Sequence, residues 1–247
     1  MYYHLRDHMY LAQFRDELIL LDTKLDKYTI CFKQLSDLFG HILEENSFCS
    51  EAKVSSSSEA QVSQDLTYIH KLLEDNIIER KTSPYPFQVD RKLKSDGVSN
   101  VDWRLPLENK NISVNIHVLR ALFTLIKVNF YMKFTGLYRA IQLIKNTHKS
   151  RPKYIIPKDE ELRKLANIVN KACLLYPTRI KCLEWAMTYV LLALKRGWKC
   201  NLEIGVQNYP FFAHAWVECD GKIVMDSQDL RKGLAVILNE PFRRLKR

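Results

Sequence analysis

A chain of 247 residues has room for one large domain or two small ones, at about 100–200 residues per domain. An apolar fraction of 47%, with 11% aromatic and 27% charged residues, excludes wholesale disorder, and seven glycines with eight prolines exclude a collagen-like chain or a fold of short strands alone. The net charge of +10 hides an asymmetry that points to two units with different partners: residues 1–83 hold 9 Lys+Arg against 14 Asp+Glu, net −5, and residues 84–247 hold 29 against 14, net +15.

The start, Met1-Tyr-Tyr-His4, lacks the basic stretch and apolar run of a secretory signal. His8–Phe14 alternates loosely, Glu17–Asp22 is a short apolar run, and Asp26–Phe32 sets Tyr28, Ile30 and Phe32 on one side, which predicts a meander of short strands. The period then changes. Leu35, Leu38, Phe39, Ile42 and Leu43 share a helical face over Gln34–Glu45, and Val62, Leu66, Ile69, Leu72 and Leu73 share one over Gln61–Leu73. The Ser-rich stretch Phe48–Ala60 between them reads as a loop, and Asn76–Arg80 as a closing strand. Residues 1–83 thus predict a small winged-helix-like domain, and 84–110, with Pro84, Pro86 and Pro106, a linker.

Residues 111–247 predict a second, helix-and-sheet domain, so the fold class is α+β. Ile112–Asn146 is a long helix interrupted near Gly136; Arg120, Lys127, Lys133 and Arg139 break its apolar run too often for a membrane span, which needs about 20 apolar residues. Asp159–Leu175 is amphipathic, and Thr178 is placed to cap a helix that runs through Arg196 and stops at Gly197. Asn201–Gln207, Ala213–Cys219 and Lys222–Met225 read as strands, the last two joined by the hairpin signal Asp220-Gly221.

Three residues here carry chemistry. Cys182 falls in the first turns of a helix beside Lys181, where dipole and cation favour a thiolate. His214 sits on a strand between small alanines, which leave room for an approach to its ring, and Asp226 ends the next strand across the hairpin, where a carboxylate orients a histidine. Asp229 is the reserve carboxylate. Against this stand plain structural roles: a buried core cysteine, a satisfied sheet histidine and a solvated acid. Helix Cys, strand His and Asp on the following strand suit a thiol nucleophile, its base and its orienter in acyl transfer. A zinc site from Cys182, Cys200, Cys219 and His214 lacks any short chelate spacing, so no metal is expected. The six cysteines show no CxxC pair and read as free thiols of a cytoplasmic protein.

The block Cys182-Leu-Glu-Trp-Ala, Lys195-Arg-Gly197, Ile204-Gly-Val206, Pro210-Phe-Phe-Ala-His214-Ala-Trp-Val-Glu218 and Asp226 resembles the lasso-peptide maturation peptidases, the B proteins of the microcin type, among the transglutaminase-like (papain-like) cysteine peptidases. The likeness is strong over about half of the chain, and residues 1–83 resemble the PqqD-like element that holds leader peptides, here fused to the peptidase. The resemblance implies Cys182 as nucleophile, His214 as base and Asp226 as orienter. It implies a ribosomal precursor whose leader is removed so that the core amine can enter a macrolactam, made by an asparagine-synthetase-like lasso cyclase as partner. No cofactor is expected on this chain itself. The resemblance links ATP to the assembled system, and the chain has no Gly-rich phosphate loop. A leader adding as a strand along Asp26–Phe32 and dropping apolar side chains toward the second helix would meet Tyr28, Thr29, Ile30, Cys31, Leu66 and Ile69.

Two rivals stay open. A winged-helix nucleic-acid-binding protein wants a basic recognition helix, whereas the 1–83 unit is acidic, with Asp65, Glu74 and Asp75 on or beside its second helix. A transglutaminase or amidase on another substrate uses the same three residues. The expectation is therefore a leader peptidase with no nucleic-acid and no membrane partner. The cationic tail Arg243–Arg247 reads as a solvated end.

Overall fold

The computed structural model describes residues 1–45, 59–99, 103–106, 114–150 and 153–246. Strands β1 (Tyr2–Leu5), β2 (Met9–Phe14), β3 (Glu17–Asp22) and β4 (Lys27–Cys31) lead the chain. Helix α1 (Lys33–Gly40) follows and runs into a wider π turn at His41–Glu45; then come α2 (Glu59–Glu74), β5 (Ile78–Lys81) and β6 (Asp90–Lys92). Strands β2, β3 and β4 form the expected antiparallel meander, with Ala12 opposite Ile19 and Leu21 opposite Tyr28. Its second turn is fixed by Asp22, whose carboxylate accepts from the Lys24 and Leu25 N–H groups at 2.8 and 3.1 Å.

The unbroken apolar run of β3 has a reason: this sheet is covered on both faces. Tyr10, Ala12, Phe14, Ile19 and Leu21 enter the large core that the helices of the second half complete. Met9, Leu11, Leu18, Leu20 and Cys31 face the other way, onto Leu38, Phe39, Ile42, Leu43, Ile69 and Leu72 of the two N-terminal helices.

The winged-helix-like expectation gives way to a more sheet-rich arrangement. Four strands precede the helices, and the closing strand β5 pairs with β1 rather than with the meander. Alternation did not mark β1, because Tyr2, Tyr3 and His4 are all only half-buried. The span expected as a linker, 84–110, contains β6, which pairs in parallel with β2, and Asp90 there accepts from the Val236 N–H at 2.7 Å. The loop expected at Phe48–Ala60 lies outside the described residues up to 58, while Glu59 and Ala60 already belong to α2.

The second half holds α3 (Ile116–Phe134), α4 (Gly136–Lys149), α5 (Asp159–Leu175) and α6 (Cys182–Lys195), then β7 (Asn201–Gln207), β8 (Phe212–Cys219), β9 (Lys222–Ile223), the single turn α7 (Leu230–Gly233) and β10 (Ala235–Glu240). The sheet order is β10-β7-β8-β9, antiparallel throughout. Helix α3 begins at Ile116, later than expected, because the Asn115 side chain caps it, accepting from His117 and Val118 N–H at 3.1 and 3.0 Å. Gly136, at φ +80°, takes the left-handed residue that separates α3 from α4.

Helix α6 is apolar on all sides and runs through the centre of the core, so its position is fixed by packing all round. Trp185 Nε1 donates to Asn170 Oδ1 at 2.7 Å and the Tyr189 hydroxyl to the Leu162 carbonyl at 3.0 Å, which ties α6 to α5. Arg243 and Arg244 of the cationic tail are packed rather than solvated. Arg243 lies 3.5 Å from the Phe87 ring centroid, and Arg244 pairs with the fully buried Glu203.

Candidate active site

Cys182 is the first residue of α6, three positions later than a helix capped by Thr178 would begin. Lys181 is still extended, and Glu184 reaches back to accept from its N–H at 3.2 Å, which starts the helix there. The sulfur therefore sits at the positive end of a buried helix, partly exposed, with the unpaired N–H groups of the first turn about it.

His214 lies on β8 opposite Gly205 of β7 and is 2% exposed. A β-carbon at Gly205 would run into the indole of Trp216, the next residue on the His214 face, so the glycine permits this packing. Trp216 Nε1 in turn donates to Glu203 at 3.0 Å, which anchors the neighbour that the imidazole leans on at 6.1 Å between centroids.

Asp226 does not end a strand as expected. Strand β9 stops at Ile223, and Met225 adopts φ +58°, a costly conformation for a long side chain. That bend turns the chain back and delivers Asp226 Oδ2 to within 2.8 Å of His214 Nε2. The other oxygen, Oδ1, accepts from the Ser227 N–H at 2.8 Å, which fixes the carboxylate's orientation. With Nε2 donating to Asp226, Nδ1 is left for the thiol. Burial works against the charged ring, and hydrogen bonds to Asp226 and Cys182 outweigh it, so the His214 pKa is pushed up to about 9. The three predicted residues thus meet: sulfur to ring, ring to carboxylate. Asp229 is separate. It pairs with Lys232 at 3.2 Å on the surface.

The zinc alternative is not assembled. Cys200 and Cys219 face each other at the far end of the β7–β8 pair, and Cys219 is five residues from His214, roughly 16 Å along a strand. Among the described residues no cluster of three metal-ligating side chains occurs.

The N-terminal meander reaches this site, which the sequence did not signal. Glu17 accepts from the Asn208 side chain and, at 2.7 Å, from the Tyr209 hydroxyl, so it holds the loop that leads into β8. Tyr28 packs on Phe211 of the same loop at 5.2 Å, and it lies within electrostatic reach of Cys182. Burial, then Asp26 and Cys182, push its phenol up to about 12, so it stays a hydrogen-bond donor at any working pH.

Alternation divides the residues expected to hold a leader. Tyr28 and the exposed Ile30 share one face of β4, the face through which Tyr28 packs on Phe211. Cys31 is buried toward α1 and α2, together with Ile69. Thr29 and Leu66 are exposed, and Phe32 meets Tyr68 at 6.1 Å where β4 approaches α2. Among the described residues β4 is an edge, paired with β3 alone. A cavity of about 570 Å³ opens beyond Asp226, lined by Asp159, Arg163, Lys222 and Met225 among others.

A buried helix thus presents a cysteine at its first residue, against an antiparallel sheet that presents a histidine and its carboxylate. Residues 124–239 match the transglutaminase-like superfamily. The chain is 25% identical over 137 residues to the microcin J25-processing protein McjB of Escherichia coli, a match that covers 55% of this chain. It spans 64% of that relative's length. No solved structure matches the chain.

Proposed function

We propose that the chain is a cysteine peptidase that removes the leader of a ribosomally made lasso-peptide precursor, with Cys182, His214 and Asp226 as its catalytic residues. The similarity to a microcin J25-processing protein supports the substrate class. The observation that carries the chemistry is the His214 ring, hydrogen-bonded to Asp226 at 2.8 Å and acted on by the helix-end Cys182.

The steps follow from that geometry. The Cys182 proton passes to His214, and the sulfur attacks the scissile carbonyl. The oxyanion forms beside the first-turn N–H groups of α6, with the Cys182 N–H as natural donor. The imidazolium, steadied by Asp226, gives its proton to the departing core amine, leaving the leader acyl group on sulfur. His214 then takes a proton from water, whose oxygen displaces the thiol and releases the leader as a carboxylic acid. The freed core amine is the group that an asparagine-synthetase-like cyclase consumes in forming a macrolactam. Strand β4 offers the leader an open edge, and Tyr28 and Ile30 on its catalytic side lead toward Cys182.

Mass spectrometry of precursor incubated with variants tests the reading. Cys182→Ala is expected to leave precursor intact and Cys173→Ala, deep in the core, to retain cleavage. Leader release by Cys182→Ala sinks the assignment.

A further inference from the structure

Helix α3 carries an apolar band that the other described residues leave uncovered. Phe123, Phe134 and Ile116 are 70%, 66% and 58% exposed, and Phe130, Ile126 and Leu119 join them. At 100° per residue these six fall within about 80° of arc. They run the full 19 residues of the helix, about 28 Å. The opposite face, Val118, Ala121, Leu125 and Val128, is buried, so the core fixes which way the band points. A ridge of six large apolar side chains is far beyond the scattered exposed residues of an ordinary surface.

The rim of the band has one sign. Arg120 and Lys127 flank one side and Lys133 the other, all exposed. No Asp or Glu occurs anywhere from 109 to 158, a stretch that holds ten Lys and Arg. A second copy of the chain would bring like charges together. The band itself offers no polar group to be read by a specific partner. We infer that α3 is a docking surface for an anionic lipid bilayer, lying flat in the headgroup region with Phe123, Phe130 and Phe134 inserted and Arg120, Lys127 and Lys133 on the phosphates. The cations that rule out a spanning segment are the ones a helix lying in the interface needs. No described helix is long and apolar enough to cross a membrane, so the contact is peripheral. This inference does not depend on the chemistry of Cys182.

The test is sedimentation of the full chain with vesicles of phosphatidylcholine alone and of phosphatidylcholine mixed with phosphatidylglycerol. The expected result is pelleting with the anionic vesicles only, weakened by salt. Each of Lys127→Gln and Lys133→Gln is expected to lower the partition coefficient about fivefold. The pair Phe123→Ser and Phe130→Ser is expected to lower it more than about tenfold, with the thermal melt unchanged. Absence of pelleting with anionic vesicles, equal pelleting with neutral ones, or indifference to both sets of substitutions overturns the proposal. So does light scattering that shows a lipid-free dimer which the Phe pair dissolves, since the band would then face a second copy.

Discussion

At the scale of single residues, the ring of His214 sets the charge of the candidate site near neutral pH. Its folded pKa, about 9, lies above the ordinary value of 6.5. A raised histidine pKa contributes stability that is full below the unfolded value and lost as pH rises through the folded one. The thermal midpoint of the wild type is therefore expected to fall between about pH 6.5 and pH 9 by more than that of His214→Gln. Equal slopes across that window would place the charge elsewhere. Asp226→Asn keeps shape but cannot steady the imidazolium, so kcat is expected to drop by about 10³–10⁴, with leader affinity kept. Asp229→Asn, a change to a surface ion pair, is expected to do little. A reversal of the two effects in single-turnover cleavage would exchange the carboxylates. That Cys182, His214 and Asp226 would lie near one another was legible in the sequence from the order of helix, strand and hairpin, whereas their roles came from the family resemblance. The bend at Met225 was not legible, because nothing in its residue type signals a left-handed backbone.

At the scale of elements, the sequence marked what has a period and missed what depends on distant partners. The bounds of α5 are those expected, since its apolar face and its acidic first turn, Asp159, Glu160 and Glu161, agree. The start of α6 shifted because Glu184 outbid Thr178 as the residue that begins the helix. Strand β6 was invisible, since Asp90–Lys92 has no alternation of its own and exists by pairing with β2. The docking of the meander on the β7–β8 loop was equally hidden, because Glu17 and Tyr209 lie 192 positions apart. That contact suggests a test. Tyr28→Phe removes only the hydroxyl and keeps the ring on Phe211, so the melt should not move. If the phenol donates to the scissile acyl group, kcat is expected to fall at least about tenfold, the worth of a charge-assisted hydrogen bond, with KM little changed. An unchanged kcat would reduce Tyr28 to a wall of the cleft.

At the scale of the whole molecule, the acidic first third and the cationic remainder are distinct in charge yet joined through packing. The meander gives one face to the N-terminal helices and the other to the core that surrounds α6. Tyr10, Phe14, Ile19 and Leu21 are each at most 1% exposed in that shared core, and the Tyr10 hydroxyl donates to the buried Glu240 at 2.8 Å. Four such side chains contribute about 6–12 kcal/mol of burial, as much as the roughly 5–15 kcal/mol that holds a domain folded. Neither part can lose the other and keep its core, so the chain should unfold as one cooperative unit. Calorimetry of the full chain is expected to show a single transition whose van't Hoff and calorimetric enthalpies agree. Phe14→Ala, on the N-terminal side of the shared core, is expected to cost about 3–5 kcal/mol and to move that whole transition. The transition should not split, and near-ultraviolet and far-ultraviolet circular dichroism should report the same midpoint. Two resolved transitions, with only the first displaced by Phe14→Ala, would show that the meander folds apart from the second half and that the shared face is a docking contact between independent units.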